Sequence, residues 1–182
     1  MIEALDTAFA HTHRVVSGID PDQLDGPTPC PEWDLRTLLG HMIAVVANCG
    51  RGAGGDALLP NPLTVPLRTD LASQFRDEAD RTLAAWRACA PYGEVDIGAG
   101  PMPTPAAMAI NLLDTSAHSW DIARATGQNA TLPDELATTL LGLSGDIVKD
   151  EFRAFAGFDP PVPVPAESSA TDQLVAFLGR RP

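Results

Sequence analysis

The chain has 182 residues, 45% of them apolar and 20% charged, with 24 acidic residues against 12 basic ones. That length suits a single domain, 1–182, with a substantial core. A net charge of -12 argues against partners that are nucleic-acid backbones or anionic membrane surfaces. No run reaches the roughly 18 uncharged apolar residues that a spanning helix needs, and the first residues, Met1 to Asp6, are acidic rather than basic as in a secretory signal. A cytoplasmic location is expected. Cys30, Cys49 and Cys89 are scattered with no CxxC pair, so reduced thiols rather than a disulfide framework are expected.

In chain order, residues 2–17 read as a first helix, with Ile2, Leu5, Phe9, Val15 and Val16 near helical spacing. Gly18 and Asp20-Pro21 end it. Gly26 to Pro31 is a rigid, proline-rich entry, after which Asp34 caps a second helix to about Cys49. Residues 50–66 carry four glycines and three prolines and read as a loop, of a length that commonly serves as a lid or binding segment. Thr69 or Asp70 caps a third helix to about Ala90, with Leu71, Phe75, Leu83 and Trp86 as core contacts. Glu94 to Ile97 alternates like one short strand or extended arm. A fourth helix runs from about Thr104 to Thr126 and stops at Gly127. A further helix covers about Asp134 to Asp150, the proline-rich stretch 159–165 must be extended, and a last helix covers about Ala170 to Gly179. Nearly everything is helical, which predicts an all-α bundle.

Asp114-Thr115-Ser116-Ala117-His118 is the stretch richest in chemistry. Positions i and i+4 of a helix share a face. At about 100° per residue, His118 lies about 40° from Asp114 on one side and Asp121 about 20° on the other. Three ionisable residues on one face of an alanine-rich helix suit neither a solvent face nor an apolar core, because unpaired buried charge is expensive. Either a metal or a tight hydrogen-bond network would resolve this. His41, inside the second helix, would complete a three-donor site with an open position if the two helices pack side by side. Asp and His suit zinc; nickel, manganese and iron also qualify. Asp121 fits either an acceptor behind a ligand or a fourth ligand. His11 and His13 point to different sides of the first helix and read as surface residues. Cys30 reads as a small buried residue among prolines, and Trp33, Trp86 and Trp120 as core anchors. No hydrolase elbow, phosphate loop or dinucleotide fingerprint is present.

These residues carry a resemblance. Pro27-Thr28-Pro29-Cys30-Pro31-Glu32-Trp33-Asp34-Leu35, followed by Leu38-Leu39-Gly40-His41, resembles the opening of the DinB-like metal-binding superfamily, in the branch related to the N-terminal domain of mycothiol-dependent maleylpyruvate isomerase. His118-Ser119-Trp120-Asp121-Ile122-Ala123-Arg124-Ala125-Thr126-Gly127 is similar to that branch's H-x-W-D-L-A-x-A-T-G segment, and the stretch from Pro160 to Arg180 resembles the ending of a group within it. The resemblance implies a DinB-like four-helix bundle with additional C-terminal helices and a short extended segment. It implies a divalent metal, often zinc, held by His41, Asp114 and His118, where Asp114 replaces the Glu or His of many relatives and grips the metal less securely. It also implies a low-molecular-weight thiol cofactor.

The resemblance leads to a thiol-dependent transferase or isomerase acting on a small electrophile, with thiol and electrophile as partners and pairing into a homodimer as a further expectation. The isomerase's second domain has no counterpart in these residues, so isomerase activity itself is not expected to transfer. A non-catalytic metal- or ligand-binding protein, and a metal-free bundle with a polar network, are the alternatives.

Overall fold

In the computed structural model, which describes residues 1–150, 153 and 157–182, helix α1 (Ile2–Ser17) buries Leu5, Phe9, Thr12 and Val16 as one stripe. A 3₁₀ turn, Pro21–Gln23, follows. Helix α2 (Leu35–Gly54) starts where the Asp34 carboxylate accepts the Thr37 N–H at 2.8 Å. Helix α3 (Leu71–Ala88) starts likewise, with Asp70 accepting from Ser73 at 2.9 Å. These caps satisfy donors that the first turn of a helix leaves unpaired. Leu71, Phe75, Leu83 and Trp86 are all buried in α3, as their spacing predicts.

Helix α4 (Thr104–Ala125) is entered through a proline in its first turn and buries residues on almost every face. The reason is its neighbours: α4 packs on α1 and α2, and α3 packs on the same two helices from across the core. The four form a bundle in the cyclic order α1, α3, α2, α4, so α2 and α4 lie side by side.

Several boundaries differ from the sequence reading. Helix α2 continues five residues past Cys49, through Gly50, Gly52 and Gly54, and ends at Gly55 with φ of 75°. Gly50 lies where α2 and α3 approach closely: a Cβ there would stand 2.5 Å from Thr82 Oγ1 and 2.9 Å from Thr82 Cα. The expected single strand is a hairpin. Strand β1 (Glu94–Asp96) pairs antiparallel with β2 (Pro101–Pro103), and Val95 lies opposite Met102. Asp96 Oδ1 accepts the N–H groups of Gly98 and Gly100 to form the turn, a side-chain device that the alternation pattern does not reveal.

Residues Met1–Ala130 form one compact unit and Thr131–Pro182 another. In the second, helix α5 (Asp134–Ile147) packs on helix α6 (Ala170–Phe177), each slightly shorter than expected. The extended stretch 159–165 is held by Val162 N–H on Ala176 O at 2.9 Å. The Arg153 side chain donates to Phe177 O at 2.9 Å and lies over the Phe177 ring. Among the described residues no helix is long and apolar enough to cross a membrane.

Gly50→Ala is expected to destabilise the protein. Helix propensity gains about 1 kcal/mol, but overpacking against the Thr82 backbone costs about 1–3 kcal/mol. Gly54→Ala, on an exposed turn of the same helix with no neighbour closer than 3.4 Å, is expected to be neutral or stabilising. Urea unfolding of both variants checks the pair.

Candidate metal centre

Residues 27–34 fold into a tight approach to α2. A bridge joins Pro27 to Asp34. The Thr28 hydroxyl sits within hydrogen-bond distance of Trp33 O at 2.8 Å and Cys30 O at 3.0 Å, and accepts the Cys30 N–H at 3.1 Å. This turn sets the Trp33 ring 4.6 Å from the His41 ring and 6.1 Å from the His118 ring. Trp33 is therefore a wall of the site rather than the core anchor its composition suggests. Trp86 and Trp120 are buried as expected.

The side-by-side packing of α2 and α4 brings His41, Asp114 and His118 together. Asp114 Oδ1 lies 3.9 Å from His41 Nε2 and 3.6 Å from His118 Nε2, and one donor atom from each residue falls within 4.8 Å of the others. Donors bonded at about 2.0–2.1 Å around a tetrahedral ion stand roughly 3.4 Å apart, so side-chain adjustment alone would close this set around a cation.

The tautomers point the same way. His41 Nδ1 is 2.9 Å from the Leu63 carbonyl. A carbonyl only accepts, so Nδ1 carries the hydrogen, and in the neutral ring Nε2 presents its lone pair to Asp114. His118 Nδ1 is 3.0 Å from Asp121 Oδ2, and the same logic leaves its Nε2 for the cluster. Asp121 is fully buried and acts as the acceptor behind His118, an arrangement that orients metal-binding imidazoles in general. Asp114 Oδ2 is buried with no hydrogen-bond partner, an expensive state for a carboxylate oxygen that a cation would relieve. These residues fit a divalent metal.

Protonation follows from the surroundings. Burial is the largest influence on His41 and lowers its pKa; His118 lowers it further, while Asp114 and the Leu63 carbonyl pull upward. Burial also opposes charge on His118, but Asp114, Asp121 and Cys30 together outweigh it and raise the pKa to about 10. Without a metal the pair thus shares charge unequally, with the proton on His118 held between two carboxylates. Metal binding must displace that proton.

Cys30 was not foreseen here. It is half-buried, and its thiol donates to Asp121 Oδ2 at 3.5 Å, so that Cys30, His118 and Asp121 form a second close group on the far side of the same imidazole. The signal available was its place three residues before Trp33 in the proline-rich entry. His11 also departs from expectation: it is buried, accepts from Arg14 at Nδ1, and its pKa is lowered by burial and by Arg14. It takes no part in either group.

Comparison with known proteins agrees with this architecture. The family described as Mycothiol maleylpyruvate isomerase N-terminal domain matches residues 5–123. Two Mycobacterium tuberculosis proteins, each named an uncharacterized protein, are 32% identical to the chain over 97% of its length and 98% of theirs. Among solved structures, mycothiol-dependent maleylpyruvate isomerase superposes with a TM-score of 0.58 at 18% identity, covering 79% of this chain and 67% of that one. A mutant of that enzyme with a histidine changed to alanine gives 0.56 at 17% identity with the same coverage. At such identities the shared feature is the fold.

The raised pKa of His118 makes a pH prediction for metal-free protein. The stability it contributes is fully present below its unfolded value near 6.5 and is lost as pH rises through about 10. Urea unfolding in chelator, for wild type and His118→Gln, is expected to show a stability gap that is widest near pH 6.5 and narrows steadily between pH 7 and about pH 10. A gap independent of pH over that range would contradict the assignment.

Proposed function

This chain belongs to the mycothiol maleylpyruvate isomerase N-terminal domain family, and on that premise we propose that it binds a divalent metal through His41, Asp114 and His118 and works with a mycothiol-type thiol on small electrophiles in the cytoplasm. The observation that carries the reading is the convergence of two Nε2 atoms on a carboxylate whose second oxygen is buried and unpartnered. The donor set favours zinc, and nickel, manganese and iron also suit it. When bound, such an ion supplies a Lewis acid that brings the pKa of a coordinated thiol or water toward neutrality.

The chain's own groups do the rest. The Leu63 carbonyl and the Asp121 carboxylate keep the hydrogens of both imidazoles on Nδ1, so neither ring can turn its donor away. Asp114 supplies negative charge between them. Three protein donors leave a tetrahedral ion one exchangeable position, and Asp121, already engaged behind His118, does not fill it. That engagement favours a reactive site over a closed structural one. Trp33 lies against both imidazoles and offers an apolar face on which a thiol's reaction partner can rest, with water kept off one side. The thiol sulfur, its proton lost to solvent, would form a C–S bond in one of two ways: by displacing a leaving group such as chloride, which is transfer, or by adding to an activated C=C whose π electrons move onto the conjugated carbonyl. Isomerisation follows when rotation about the resulting single bond precedes cleavage of the C–S bond and return of the double bond. The thiol cofactor is proposed from the described activity of the solved relatives.

Metal analysis of untagged protein by inductively coupled plasma mass spectrometry is expected to give about one ion per chain, lost in His41→Ala. Metal-replete protein is then expected to accelerate the loss of thiol in the presence of monochlorobimane. Protein that takes up no metal would overturn the whole reading, and metal-replete protein inert with several thiols would overturn its catalytic half.

A further inference from the structure

The loop that follows α2 returns along the helix that carries His41 and is fastened to it at three levels. Asn48, 1% exposed, accepts the Leu59 N–H at Oδ1 (2.9 Å) and donates from Nδ2 to the Pro62 carbonyl (3.3 Å). Seven residues separate it from His41, so both side chains leave α2 on nearly the same face, about 20° apart. About two turns nearer the start of α2, the Val65 N–H donates to the Gly40 carbonyl at 3.2 Å. Between these two fastenings, the Leu63 carbonyl meets His41 Nδ1 at 2.9 Å. The approach is close enough to require glycine at position 40, where a Cβ would stand 2.6 Å from Thr64 Oγ1 and 2.9 Å from Val65 O.

We propose that Asn48 and Gly40 are positioning residues for the metal centre: they hold the 59–65 loop so that the Leu63 carbonyl fixes His41 in its Nδ1–H tautomer with Nε2 turned to the cluster. Neither residue hydrogen-bonds to Asp114 or His118; both act through Leu63. The loop is then a fixed wall of the site rather than a moving lid. The inference rests on the metal reading for its consequence, yet the tautomer and ring orientation of His41 are properties of the protein without metal.

The test uses Asn48→Ala, with Thr82→Val as a stability control. Thr82 donates a buried hydrogen bond to Val46 O at 2.8 Å on another face of α2, so its loss weakens the bundle without touching the loop. Nitrogen-15 NMR of the histidine rings at pH 8 in chelator, with the His41 signals assigned by their absence from His41→Ala, reads the tautomer. Wild type and Thr82→Val are expected to show Nδ1–H, and Asn48→Ala a mixture of both tautomers. Chelator competition is expected to give a metal Kd about 10–100-fold weaker for Asn48→Ala and unchanged for Thr82→Val.

Should Asn48→Ala fail to fold, Asn48→Asp keeps the acceptor for Leu59 and loses the donor to Pro62, and Gly40→Ala displaces the loop from its other end; the same shift toward mixed tautomers is expected of both. A wild-type tautomer in the folded Asn48 and Gly40 variants would overturn the proposal. If wild type binds no metal, the metal reading falls, and the tautomer measurement still decides whether these residues position His41.

Discussion

A carboxylate set where two helices meet must be compensated, and much of the Met1–Ala130 unit can be read from that requirement. Asp114 lies on α4 where α2 packs alongside, and its oxygens face two imidazoles with no lysine or arginine paired to it among the described residues. Histidine is the one compensating group that can give up its proton and take a metal in its place. The site is therefore not an addition to the bundle. It is where the α2–α4 seam compensates a partly buried carboxylate.

From this seam outward, each imidazole needs a partner for its other nitrogen. α4 provides one from within itself, because Asp121 follows His118 by three residues. α2 offers none within hydrogen-bonding reach of His41, and a loop carbonyl fills the role. The difference explains why the 55–70 loop, which has no regular structure, is tied so closely to α2, and why the helix carries Gly40 beneath it. The proline-rich turn before α2 completes the enclosure with Trp33 and brings Cys30 to the acceptor carboxylate.

The helices and most of the candidate cluster were legible in the sequence because they rest on local rules. Asp34 and Asp70 announce their helices by side-chain chemistry, and the Asp114–His118 spacing puts both residues on one face whatever surrounds them. His41 needed the bundle's packing order, which periodicity does not encode; the family resemblance supplied it. What was not legible depended on contacts between distant segments. Glycines that read as a loop at 50–54 are helical, with Gly50 pressed against Thr82 of α3 and Gly52 against the Asp96 backbone of β1. Trp33 and Cys30 read as core because their residue types usually are, and only the turn stitched by Thr28 faces them toward the imidazoles. His11 was expected at the surface, but it is buried against the bundle.

On the proposed function, the cluster binds metal through two imidazole Nε2 atoms and one Asp oxygen, with a position left for a sulfur ligand. X-ray absorption spectroscopy of zinc-loaded protein tests it most directly. On this reading, a metal held by His41, Asp114 and His118 is expected to show nitrogen and oxygen scatterers only, with two imidazole signatures, and to gain one sulfur scatterer when a low-molecular-weight thiol is added. A sulfur in the shell before any thiol is present, which would place the metal on Cys30 instead, or a shell with no imidazole, would contradict it.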